Sequence, residues 1–217
     1  MIGKLALKTA ESFIKRPNTC YDKIEIYQYG FFVLYSNILF LLLTMLLGAV
    51  FGVFLQGIIF YVVFFSIRQY AGGYHASTET RCEVMSTLSI LVCLVVTKLS
   101  KTYDFQFTLL VVSAVSALCI AVLCPLDTPE KPLSEKEFKY FRKISCSILS
   151  AISIVVIISY FVRLKWLQIF FAPCCLSLIL ESLLLTAGKI KKVMLRSYEK
   201  VPVFMIQRFF SSGIERL

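Results

Sequence analysis

The sequence predicts an all-α integral membrane protein of about six transmembrane helices, preceded by an amphipathic interfacial helix at the N-terminus. Three observations predict it. Hydrophobic residues make up 58% of the 217-residue chain and charged residues only 17%, with a mean hydropathy of +0.79. A chain so composed has too little polar surface to cover a water-soluble core of its size. Its apolar residues fall in blocks long enough to cross a bilayer. Its basic residues gather on alternate sides of those blocks, as membrane topology requires.

The elements follow in order. Residues 1–16 carry Lys4, Lys8, Glu11, Lys15 and Arg16 among Ile2, Leu5, Ala6, Phe13 and Ile14, with no unbroken apolar core and no small-residue cleavage site. That pattern suits an amphipathic helix on the inner leaflet, ended by Pro17, and equally a frayed basic terminus. The first apolar block runs from Phe31 to Ile67. As one helix it would be roughly 55 Å long, nearly twice the hydrocarbon thickness. A hairpin bending near Gly48–Gly52 resolves this, because glycine permits the tight reversal. Further spans read as Val84–Thr97, Phe107–Cys124, Ser147–Val162 and Trp166–Ala187. Several are short for a bilayer, so flanking residues complete the crossing or the bilayer thins.

Charge sets the orientation. Segments 1–30, 68–83, 125–146 and 188–217 hold 19 of the 23 Lys and Arg, whereas 98–106 and 163–165 hold 4. Lys and Arg concentrate on the cytoplasmic side, so both termini and the 68–83 segment are expected there. The chain thus reads as one polytopic domain over 1–217: a cytoplasmic amphipathic segment at 1–30, a transmembrane bundle at 31–187 and a basic cytoplasmic tail at 188–217. The net charge of +10 follows from this topology and suits anionic membrane lipids rather than nucleic acid.

Eight cysteines suggest neither disulfides nor zinc. Cys93, Cys119, Cys174 and Cys175 fall inside spans, where a thiol packs as a small apolar group. There is no C-x-x-C pair, and one histidine does not supply a mixed zinc site. No metal and no cofactor is expected. A P-loop and a G-x-G-x-x-G are also missing, which weighs against an ATP-driven pump. Glu181 lies within the last span; near its cytoplasmic end, snorkelling or pairing with a nearby lysine is the expected arrangement. The Pro-rich loop from Cys124 to Leu133 needs no function as a connector, but on the same face it could bring Asp127 or Lys131 to a site.

The chemistry concentrates in Arg68-Gln69-Tyr70-Ala71-Gly72-Gly73-Tyr74-His75, followed by Cys82. His75 is the sole histidine of the chain. A thiol attacks as its thiolate, so a catalytic cysteine needs a base or an electropositive setting. Thr80-Arg81-Cys82-Glu83 fits a capping box with Thr80 as cap, which puts Cys82 in the first turn of a span. Free N–H groups there, with Arg81 alongside, favour a thiolate and an oxyanion. On a continuous helix His75 and Cys82 would stand about 10 Å apart along the axis, so His75 must lie on a loop that folds back. Gly72-Gly73 make that path easy. A lone histidine near an interface is also an ordinary polar anchor, and spacing alone leaves both readings open.

These same residues resemble the AgrB family, the membrane peptidases of Gram-positive quorum sensing. The stretch Arg68–Ala76 with Cys82 looks like its signature, and Pro125-Leu126-Asp127 to Lys131-Pro132-Leu133 is similar to a second block. The resemblance implies catalytic roles for Cys82 and His75 and supporting roles for Arg68 and Gly73, with Lys131 corresponding loosely to a basic loop residue. It implies a cell-membrane enzyme whose site faces the cytoplasm. Its substrate would be an AgrD-like propeptide, cleaved before an acidic tail and cyclised to a thiolactone or lactone through a thioester on Cys82. A homodimer is compatible with it. Two other readings stand beside it: a membrane exporter or binding protein for a peptide without proteolytic chemistry, and a structural or regulatory subunit.

Overall fold

A computed structural model of the chain describes residues 2–14, 24–74, 79–127, 133–162 and 164–199. Seven helices account for nearly all of them: α1 (Ile2–Ile14), α2 (Ile24–Phe51), α3 (Phe54–Ala71), α4 (Glu79–Thr102), α5 (Gln106–Leu123), α6 (Glu135–Val162) and α7 (Lys165–Glu199). Six of these, α2 to α7, are long and apolar enough to cross a membrane. The protein is therefore a multi-pass, all-α membrane protein. Among the described residues no strand forms, and a single parallel bridge joins Gly72 to Leu126.

The N-terminal helix α1 docks on α2 through one face. Ala6 and Ala10 are fully buried, and the next residue of that face, Phe13, meets Tyr27 and Phe31 at ring-centroid distances of 5.8 and 5.9 Å. Lys4, Lys8 and Glu11 stay exposed. Spacing of i, i+4 and i+7 puts the three contact residues on one stripe.

The hairpin bends at the expected glycines. Gly52 adopts φ +70°, and the N–H of Val53 donates to the Gly48 carbonyl at 2.8 Å. Lys101 reaches back from α4 to the Gly52 carbonyl at 3.4 Å, while Lys98 stands 5.9 Å over the Phe51 ring. Small residues bring the helices close: a Cβ on Gly57 would meet Leu94 of α4 at 3.1 Å and the Thr44 carbonyl of α2 at 3.4 Å.

Span boundaries depart from the sequence expectation in one direction. The structure has helices of 28, 24, 28 and 35 residues for α2, α4, α6 and α7, each longer than its apolar block. Their ends carry charged residues, such as Glu135–Lys143 in α6, which the hydropathy criterion excludes but helix propensity tolerates. The helical start of α4 at Glu79 also makes Thr80 an interior residue instead of the cap. A reciprocal capping box occurs elsewhere: the Ser134 N–H donates to Glu137 Oε2 at 2.9 Å and the Glu137 N–H to Ser134 Oγ at 3.3 Å, starting α6.

The spine is α7. Its apolar window is 61% buried, against 11–28% in the other five spans. It packs on α3, α4, α5 and α6. Ser177 donates to the carbonyls of Pro173, inside α7, and Phe60, on α3, at 2.8 and 3.1 Å. Replacing Gly57 by leucine is expected to wedge α3 from α2 and α4 at a cost of about 1–3 kcal/mol. The thermal unfolding midpoint of the detergent-solubilised protein checks this; an unchanged midpoint would contradict the close packing.

Candidate functional site

One end of the bundle gathers the C-terminus of α3, the start of α4, the loop after α5, the start of α6 and the last third of α7. These are three of the segments that the charge pattern placed on one side, 68–83, 125–146 and the region from 188.

Arg68, in the last turn of α3, organises this end. Its Nη1 donates to the Gly72 carbonyl at 2.8 Å and its Nη2 to the Tyr74 carbonyl at 2.6 Å. Both carbonyls point back at the guanidinium because the chain reverses through two glycines, Gly72 at φ +80° and Gly73 at φ +132°. A side chain at Gly73 would collide with Nη1 of Arg68, and one at Gly72 would come within 2.7 Å of the Leu126 carbonyl. The glycine pair is thus required by conformation and by space at once.

A stripe along α7 receives this turn. The N–H of Tyr74 donates to the Leu184 carbonyl at 2.9 Å. Gly188, one turn on, leaves room for the turn: a Cβ there would meet Leu126 Cδ2 at 2.6 Å and the Tyr74 nitrogen at 2.9 Å. Lys191 stands 5.4 Å over the Tyr74 ring. The N–H of Leu126 donates to the Ala71 carbonyl at 2.8 Å, which ties in the loop after α5.

Asp127 closes that loop. Its Oδ2 pairs with Lys192 Nζ at 3.2 Å, and its Oδ1 accepts the Leu133 N–H at 3.2 Å. Both oxygens therefore serve the loop and α7. Arg142 donates to the Cys124 carbonyl at 3.1 Å, capping α5.

Cys82 is the fourth residue of α4, exposed and in its first turn, with exposed Arg81 before it. First-turn N–H groups lack helical partners and attract negative charge. Cys124, by contrast, is 1% exposed, its thiol shut away from any substrate. His75 and Lys131 lie outside the described residues. His75 follows directly on Tyr74, whose carbonyl and N–H are both held. Among the described residues no group of three or more His, Cys, Asp or Glu could hold a metal ion.

Sequence reasoning named Glu181 but misplaced it: it does not snorkel, and its facing cation is no lysine. It is fully buried, with Oε1 3.9 Å from Nη1 of Arg68, and neither oxygen receives a hydrogen bond among the described residues. The available signal was that Arg68 and Glu181 carry opposite charges near the same end of two apolar spans.

The profile of the family described as accessory gene regulator B matches residues 6–185. AgrB-like protein 2 of Clostridium perfringens is 25% identical over 166 residues, covering 73% of this chain and 77% of its own. Accessory gene regulator protein B of Staphylococcus intermedius is 29% identical, covering 64% and 70%. Its namesake in Staphylococcus carnosus is also 29% identical, covering 71% and 78%. No solved structure gives a significant match.

A Gly73→Ala variant is expected to break the Arg68 contacts, at a local cost of about 1–3 kcal/mol. Hydrogen exchange read by mass spectrometry should then find the Tyr74 amide opening faster while the centre of α7 stays protected; equal protection of Tyr74 would count against the clamp.

Proposed function

The chain belongs to the accessory gene regulator B family, and from that premise we propose that it is a membrane cysteine endopeptidase of quorum sensing, acting on an AgrD-like propeptide. The observation that carries the reading is the position of Cys82. It is exposed, sits in the first turn of α4, and follows closely on a backbone turn that Arg68 holds and that continues into His75.

The chemistry runs in two acyl transfers. His75 takes the thiol proton and Cys82 Sγ attacks the carbonyl of the peptide bond before the acidic tail. First-turn N–H groups of α4 face the oxyanion that forms. Collapse breaks the C–N bond, His75 returns the proton to the leaving amine, and the tail departs. A cysteine or serine side chain of the propeptide then attacks the Cys82 thioester, giving its proton to His75. The ring closes as a thiolactone or lactone, and Cys82 leaves as thiolate to be reprotonated. Thioester for thioester is near balance, so holding the substrate at the membrane and losing the tail drive the sequence. A site at the membrane face also slows hydrolysis of the intermediate.

Orientation follows the charge pattern. With the basic end in the cytoplasm, Lys191 and Lys192 beside the turn, and Lys139, Arg142 and Lys143 on α6, would attract an acidic tail. Asp127 holds the loop after α5 to α7 through Lys192 and accepts the Leu133 N–H.

The test is tail release from the cognate propeptide by protein in liposomes. Cys82→Ser and His75→Ala should each lower the rate by at least about 10³-fold. Release unchanged in both variants would remove the peptidase reading and favour the peptide exporter or binding protein.

A further inference from the structure

A carboxylate at the core of an apolar bundle is unstable unless something compensates it, and Glu181 has little. It is fully buried, and both oxygens lack hydrogen-bond donors among the described residues. What faces it is the guanidinium of Arg68 at 3.9 Å. The same Nη1 donates to the Gly72 carbonyl, while Nη2 donates to the Tyr74 carbonyl. The guanidinium is therefore held by hydrogen bonds to two carbonyls of the turn on one side and faces the charge of an α7 carboxylate on the other.

Helix periodicity makes the arrangement a unit. Glu181, Leu184 and Gly188 are spaced i, i+3 and i+7, one stripe of α7. Along it Glu181 faces Arg68, the Leu184 carbonyl takes the Tyr74 N–H, and Gly188 admits the turn. The turn is thus held at Gly72 and Tyr74 through Arg68, and at Tyr74 again through α7.

We propose that Glu181 is a positioning residue: its carboxylate orients the Arg68 guanidinium, which fixes the Gly72–Tyr74 turn and so the start of the segment that carries His75. This rests on the peptidase reading for its effect on catalysis, though not for its effect on the turn. Removing the charge frees the guanidinium to rotate away from one of its carbonyls, and the chain leading to the base loses its fixed start at Tyr74. The lysines that would attract the acidic tail stand on α6 and α7 and not on the turn, so substrate binding should change less than turnover.

The experiment is a double-mutant cycle on tail release in liposomes, with Glu181→Gln, Arg68→Lys and both together. Glu181→Gln should lower kcat by about 10- to 100-fold while KM stays within about two-fold. Adding it to Arg68→Lys should lower kcat no further, since the carboxylate acts through the arginine. Effects that multiply, or a Glu181→Gln rate equal to wild type, would overturn the proposal. Exchange at the Tyr74 amide is read on the same proteins, and should rise at least about ten-fold in Glu181→Gln. If Glu181→Gln does not fold, Glu181→Asp, which keeps a shorter carboxylate, should give an intermediate exchange rate; wild-type exchange there would overturn the proposal. If wild type itself releases no tail, the peptidase reading fails, and exchange alone decides whether Glu181 holds the turn.

Discussion

A guanidinium at the edge of a bilayer carries five N–H donors and finds little water to receive them. At Arg68 the receiving groups are two backbone carbonyls, and a buried carboxylate stands by as counter-charge at 3.9 Å. The carbonyls face one point only because Gly72 and Gly73 adopt positive φ, and the carboxylate does so only because α7 brings Glu181 alongside α3. The rest of this end is arranged around that constraint. The turn seats on Leu184 and Gly188, the loop after α5 ties to Ala71, and Lys192 holds Asp127.

The consequence is a division of labour between the spans. Helices α2, α4 and α5 bury little of their surface and present apolar side chains outward, Val50, Leu88 and Val122 among them. The central helix α7 is mostly buried and carries the polar groups that order the functional end. In hydrocarbon the backbone bonds of each helix are satisfied internally, so irregular backbone is confined to places where protein covers it. The Gly72–Tyr74 turn is such a place, flanked by Arg68, Leu126 and Gly188. Cys82, in contrast, sits on an exposed helix start, where a nucleophile can meet a peptide.

Much of this was legible in the sequence. Blocks of apolar residues gave six spans, and Gly48 and Gly52 marked the hairpin because they lie near the middle of a block too long for one helix and permit a tight reversal. The distribution of Lys and Arg grouped four segments, three of which the structure brings to one end. Helix ends were not legible, since Glu79, Arg81 and Glu135–Lys143 are polar residues that extend helices past the hydrocarbon. The capping box was assigned to Thr80, whereas Ser134 and Glu137 form one, because the four-residue pattern does not reveal where a helix begins. Glu181 was misjudged for a different reason. Its partner is far away in sequence on another span, and a contact of that kind depends on helix packing that no local pattern encodes.

In the proposed mechanism the acyl group rests on the Cys82 sulfur, between a cut peptide and a closed ring. A propeptide whose internal cysteine or serine is replaced by alanine can be cut but not cyclised, so the intermediate should accumulate. Incubation with the protein in liposomes, followed by intact-mass and peptide mapping, should find the tail released and the remaining fragment bound to Cys82, removable by hydroxylamine. Tail release with no adduct, or an adduct on any other residue, would contradict the account.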